Sequence, residues 1–366
     1  MSLEIWTLAI AVVTSAACAL CGSLLLVNRQ AMMSEGLSHA VFPGLVIAFM
    51  VLRDYSSPLL IISAAASGLL MVWLTQWLVN TRLVDSDAAL GIVFAGMFSV
   101  GILLVSRNLR DTHFHADCII EGNLAIAPLD RLRVAGVDFG PQSWIVMLTM
   151  LIVCVGFIAV CYKELKLMLF EPLLARRFGF KPVLLQCIWL AIVSLTTVAA
   201  FNVAGAVLIV ALMIAPPAAA YLLSDRLSGL LVISAAIAVV SSIAGFYLGM
   251  GLDIAPTGPI ASTAGVVFLL TFALAPKRGF IAAWATRMQQ RRDTIDCLLL
   301  ASVASESSAG TLPEGLMDSL ALAPAVVARS VSRLQTQRLV TQSGARIQLT
   351  ESGAAHLRAM TPKHAI

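Results

Sequence analysis

The feature that most limits this chain is a set of long stretches with no charged side chain. Residues 57–79, 144–162, 227–251 and 258–275 carry none, and each is close to the 20 or so residues that cross a hydrocarbon layer about 30 Å thick. The chain is 59% apolar and 12% charged, against roughly 45–50% and 25% in a soluble domain, so a water-soluble globule is excluded. In lipid every backbone polar group must be paired within the segment, which selects α-helix. The fold class expected is an all-α polytopic membrane protein.

Apolar runs between charged or turn-rich breaks fall near residues 5–27, 39–52, 57–79, 88–106, 143–162, 183–201, 203–223, 228–250 and 258–275, which gives 8–9 transmembrane helices. The count turns on the short 39–52 run, where Pro43 and Gly44 are expected to interrupt the helix, and on 107–142, where a re-entrant element around 118–128 would fit. The first run lacks the basic start of a cleaved signal and reads as a retained span. Five basic residues lie in 163–181, and Lys277 opens a basic tail. The positive-inside rule puts both in the cytoplasm. If all nine candidates cross, the N-terminus is outside and 107–142 is an external loop, which its four arginines oppose mildly.

Up to Ala275 the chain holds 13 Lys/Arg and 14 Asp/Glu, and beyond it 11 and 6. The organisation expected is a membrane domain over 1–277, a linker over 278–290 and a cytoplasmic domain over 291–366. Helical periodicity in 294–305, 313–320 and 324–337 precedes a strand pair at 339–342 and 345–350 and a last helix over 352–360. That order predicts a small α+β winged-helix domain, of about the least size that forms a core. The seven cysteines sit mostly in apolar runs and read as small packing residues, Cys18 and Cys21 included.

No G-x-x-x-x-G-K-[ST] phosphate loop, H-E-x-x-H pair or cysteine ligand cluster occurs. The chain is therefore not expected to be an enzyme, and the energy for any transport must come from a partner or an ion gradient. The most informative stretch is 29–44, RQAMMSEGLSHAVFPG. In a helix Glu35 and His39 are four apart and share a face. A carboxylate and a neutral imidazole suit a borderline divalent ion such as Mn²⁺, Fe²⁺ or Zn²⁺, and ionisable groups at membrane depth mark functional sites. Equally, Glu35 pairs with Arg29 at the interface while His39 donates to a carbonyl.

These residues resemble the signature of the integral-membrane permease family of bacterial ABC importers for manganese, zinc and iron: an acidic residue, two residues, Ser-His, then Pro-Gly. Residues 201–220, from Phe201 through Gly205 to Pro216, resemble its glycine-to-proline span. Residues 170–179 resemble its cytoplasmic coupling helix, through Phe170, Glu171, Pro172, Ala175 and Gly179. The matches cover about residues 1–277. Many members carry Asp where Glu35 and Glu171 stand here, so the metal does not follow from the family.

The resemblance implies that Glu35 and His39 coordinate the ion in its path, and that nothing is bound tightly except the transported divalent ion. It implies ABC ATP-binding subunits, an extracytoplasmic metal-binding protein, a second identical or homologous permease subunit, and a place in the bacterial cytoplasmic (inner) membrane. On its own chemistry, 170–179 is a short amphipathic helix fit for a groove on a partner or for anionic lipid. His113, His115 and Asp117 gather weaker potential ligands in a polar loop, which reads more simply as solvated.

The tail resembles winged-helix regulators of the diphtheria-toxin-repressor type, through 330–334 and 347–353. Arg329 and Arg333 would share the face of its recognition helix and could meet DNA. That helix offers few base readers, so a docking or regulatory role is favoured over DNA. Two other readings stay open: a permease for a metal chelate or vitamin, and a membrane-tethered metal-responsive transcription regulator.

Overall fold

The structure is a computed structural model. It describes residues 3–52, 58–108, 124, 127–129, 131–134, 137–170, 182–276, 279–305, 324–343 and 346–360. The chain divides into two units, Met1–Gly279 and Phe280–Ile366.

The first unit is helical. Its helices are α1 (Leu3–Val27), α2 (Met33–Leu52), α3 (Pro58–Asn80), α4 (Ser86–Asn108), α5 (Gln142–Val160), α6 (Tyr162–Phe170), α7 (Pro182–Ala204), α8 (Ala206–Leu223), α9 (Leu227–Leu252) and α10 (Thr257–Leu274). Among the described residues nine of them, all but α6, are long and apolar enough to cross a membrane. This is the upper of the two counts read from the sequence. The short 39–52 run belongs to a longer helix because Met33–Ser38, polar as it is, continues the same turns. Before α5 come a single 3-10 turn, Ala127–Leu129, and an antiparallel hairpin of β1 (Arg131–Val134) and β2 (Val137–Pro141). Of the suspected re-entrant stretch, 118–128, residues 118–123 and 125–126 lie outside the described residues.

Helices α1 and α2 are the most enclosed, and α4, α5 and α10 the least. The enclosure of α1 follows from its side chains. Ala11, Ala17, Cys18, Ala19, Cys21, Gly22 and Ser23 leave little bulk between it and α8, α9 and α5, as small residues do wherever membrane helices pack closely. At Gly22 a β-carbon would collide with the backbone carbonyl of Met213 in α8. Polar side chains tie the bundle across helices. Ser234 of α9 donates to the Ala19 carbonyl at 3.3 Å, Thr263 of α10 to that of Ser241 at 2.9 Å, and Ser67 of α3 to that of Val41 at 3.4 Å.

The described cysteines are free thiols. Cys18 and Cys21 are buried, and Cys21 Sγ stands 3.4 Å from Cys154 Sγ of α5, well beyond the 2.05 Å or so of a disulfide. Helices α7 and α8 are joined by Gly205 alone, at φ 81° and ψ 158°, a region open essentially only to glycine.

The second unit contains α11 (Phe280–Ser305), α12 (Pro324–Thr336), β3 (Val340–Ser343), β4 (Arg346–Leu349) and α13 (Glu351–Met360). Residues 280–290, read from the sequence as linker, are the start of α11, and the helix expected over 313–320 lies outside the described residues. The two strands pair antiparallel from Val340↔Leu349 to Ser343↔Arg346. Leu299, Leu300, Val303, Val327, Leu334, Leu339, Val340 and Ile347 form the core. Thr350 Oγ1 accepts the Gly353 amide at 3.0 Å, an N-cap that fixes the start of α13.

Candidate metal site

Helix α2 carries both candidate ligands. Glu35 lies in its first turn and is exposed; His39 follows one turn later and is half-buried. Ser38 between them donates its hydroxyl to the Glu35 carbonyl at 2.6 Å, so it serves the backbone and not a ligand. Among the described residues no ion pair joins Arg29 to Glu35.

The His39 ring is held by aromatic neighbours from α4. It stacks on Phe94 with centroids 5.6 Å apart and planes at 23°, and meets Phe98 edge-on at 5.3 Å and 71°. Phe98 also contacts Phe42 of α2 at 5.4 Å. Such pairs fix ring orientation and contribute about 0.5–1.5 kcal/mol each. Sequence reasoning missed both phenylalanines, because α4 is apolar all round and its pattern shows no inward face.

Pro43 does not interrupt α2 as expected; the helix runs through it from Met33 to Leu52. What Pro43 removes is one N–H, the one that would have bonded to the His39 carbonyl four residues back. The residue carrying the imidazole thus also offers an oxygen without its helical donor. Beyond the site, Pro43 and Gly44 line an apolar cleft of about 650 Å³ between α2, α3 and α4, with Ser67, Trp77, Met97 and Val100 among its walls.

Among the described residues no three His, Cys, Asp or Glu side chains converge to hold a metal. Among the described residues the candidate site thus offers one carboxylate and one imidazole, four positions apart on α2. His113, His115 and Asp117 lie outside the described residues, as do Glu171, Pro172, Ala175 and Gly179; the backbone of Phe170 ends α6.

In the second unit, Arg333 donates through one guanidinium nitrogen to Asp296 Oδ2 of α11 at 3.0 Å. Arg329 is exposed, and its Nε donates to the Ala325 carbonyl of its own helix at 3.0 Å. Burial holds the Asp296 carboxyl above its ordinary 3.8, outweighing the opposing pull of Arg333 and of the Ser330 hydroxyl.

Among the described residues, nine span-length helices, one of them bearing Glu35, His39 and Pro43, define a polytopic membrane protein. Residues 2–275 match the sequence model described as the ABC 3 transport family, and the chain belongs to that family. It is a membrane permease subunit, working in transport and not in catalysis, with ATP hydrolysis in a separate subunit. It is 37% identical over 281 residues to the manganese transport system membrane protein MntD of Bacillus subtilis (strain 168), covering 77% of this chain and 95% of that protein. It is 35% identical over 351 residues to the zinc transport system membrane protein TroD of Treponema pallidum (strain Nichols), covering 94% of this chain and 95% of TroD. That second match is too long to end with the membrane unit. Among solved structures the chain shares its fold with PsaBC from Streptococcus pneumoniae in complex with Fab, at a TM-score of 0.61 and 24% identity over 74% of this chain and 91% of that one.

Proposed function

We propose that this permease carries a divalent transition metal ion, Mn²⁺, Zn²⁺ or Fe²⁺, across the bacterial cytoplasmic membrane, and that Glu35 and His39 hold the ion in its path. The observation that carries the reading is the pair on one face of α2, with the His39 ring clamped by Phe94 and Phe98 and no cationic side chain bonded to Glu35 among the described residues. The relatives named for manganese and zinc transport support it.

Two ligands leave a metal's shell incomplete. Zinc takes about four protein or water ligands, so a second permease subunit presenting the same pair across a shared path would supply the rest. A shell assembled from two weak halves also releases its ion when the halves part, which transport requires. Two ATP-binding subunits docked on residues 170–179 would drive that parting, and an extracytoplasmic metal-binding protein would deliver the ion.

The helix, hairpin and helix order of the second unit and its strand register support a winged-helix reading for 291–366, on the cytoplasmic side. The engagement of Arg333 with Asp296 favours a docking or regulatory module over a DNA reader.

The test is uptake of Mn²⁺, Zn²⁺ and Fe²⁺ by cells holding the whole transporter with wild-type, Glu35→Gln or His39→Ala permease. Loss in both variants at unchanged membrane abundance identifies the site and the ion. Undiminished uptake of free metal in both would remove the site and return the chelate reading.

A further inference from the structure

The first half of α11 stays outside the buried core of its unit, although Trp284, Met288 and Arg292 line a cleft of about 540 Å³ with Arg333 of α12. From Phe280 to Thr294 no side chain is buried, and the core of the unit takes up the helix only at Ile295, Leu299 and Leu300. About four helical turns with no buried side chain are marginal in water. The stretch is nevertheless far from polar: Phe280 is 62% exposed, Ile281 55%, Trp284 58% and Met288 40%.

At 3.6 residues per turn these four side chains fall within an arc of about 100°. Arg287 and Arg291 sit near one edge of the arc and Arg292 at the other, while Thr286, Gln289, Gln290 and Asp293 occupy the far side. Basic residues that flank an apolar stripe can lay their stems along a hydrocarbon boundary and keep their charges among headgroups. The charge is one-sided. Lys277 and Arg278 precede the helix, and no acidic residue occurs between Asp253 and Asp293.

Chain length fixes where this face can be. Helix α10 ends at Leu274 and α11 begins at Phe280, and the intervening residues span at most about 20 Å when fully extended. The end of a membrane span thus tethers the apolar stripe to a bilayer surface.

We propose that residues 280–292 form a membrane-surface helix that lies in the headgroup layer and selects anionic phospholipid. Phe280, Ile281, Trp284 and Met288 enter the acyl boundary. Arg287, Arg291 and Arg292 meet lipid phosphates, each contributing about fivefold to the preference for an anionic surface.

The experiment places single nitroxides at successive positions from 280 to 290 of the full chain in lipid nanodiscs, with the cysteines outside the buried core replaced by serine. Oxygen, which concentrates in lipid, and a water-soluble nickel complex then compete to relax each label. Expected is a period near 3.6, with oxygen favoured at 281, 284 and 288 and nickel at 282, 286 and 289. The contrast should deepen when phosphatidylglycerol replaces part of the phosphatidylcholine. That lipid effect should vanish in the triple variant Arg287→Gln, Arg291→Gln, Arg292→Gln. Nickel access at every position overturns the proposal, and so does shielding of 281, 284 and 288 from both reagents, which would show a protein surface covering the stripe. Equal contrast in neutral and anionic lipid overturns the selection.

Discussion

Gly22 of α1 lies directly against the backbone carbonyl of Met213 in α8, the carbonyl that Pro217, four residues on, leaves without a helical donor. Cα–H···O contacts of the kind a glycine can offer to such an oxygen recur where helices approach closely. The two features therefore depend on each other: the missing side chain admits the helix, and the missing N–H exposes the oxygen it meets.

Gly22→Ala should separate α1 from α8 and lower stability by about 1–3 kcal/mol, the usual cost of adding bulk to a packed core. The thermal midpoint of the detergent-purified protein reads this. An unchanged midpoint would contradict the close approach.

Gly205→Ala should cost about 1–3 kcal/mol for a different reason, since an L side chain must strain to hold φ 81° and ψ 158°. Because Gly205 is the whole connection between α7 and α8, the same variant should slow transport at equal abundance. Wild-type stability and rate together would show that the joint relaxes freely.

Phe98→Ala removes the edge-on contact to the His39 ring without touching a ligand. If ring orientation sets ion affinity, the KM for metal uptake should rise by up to about tenfold, the equivalent of one aromatic pair. Phe98→Tyr should keep most of the affinity. An equal fall in both would point to packing and not to orientation.

Asp296 gives the second unit a pH dependence of definite sign. Its folded-state carboxyl binds a proton more tightly than the ordinary value of 3.8, so its contribution to stability is full below that value and is lost as pH rises through the raised one. Amide exchange in α12, corrected for the intrinsic rate, should show greater protection in mild acid than at neutrality. Asp296→Asn should flatten this profile, whereas Arg333→Gln, which removes the guanidinium that favours the ionised form, should steepen it.

Much of the membrane unit was legible in the sequence, because charge-free runs leave a chain in lipid no structure but helix. Residues 57–79 and 258–275 coincide with α3 and α10 nearly end to end. Pro43 was read too strongly, since one proline removes a single bond and tertiary packing carries the helix through it. The aromatic clamp on His39 was not legible: Phe94 and Phe98 stand in a helix whose apolar residues face lipid and protein alike, so periodicity carries no direction there. The start of α11 was hidden for the opposite reason. The change to a polar composition near Met288 marked a boundary, yet Phe280–Met288 had already begun the helix that crosses it.

A one-residue joint has no slack. Neighbouring Cα atoms are about 3.8 Å apart whatever the chain does, so Gly205 can swivel but cannot stretch, and α7 cannot move lengthwise without carrying the start of α8 with it. Further along α8, Pro216 and Pro217 have already taken away two rungs of the hydrogen-bond ladder, so a flexure there breaks no bond. A displacement of α7 would therefore travel as through a rigid rod with one pivot and one hinge, and be delivered beside Gly22 of α1.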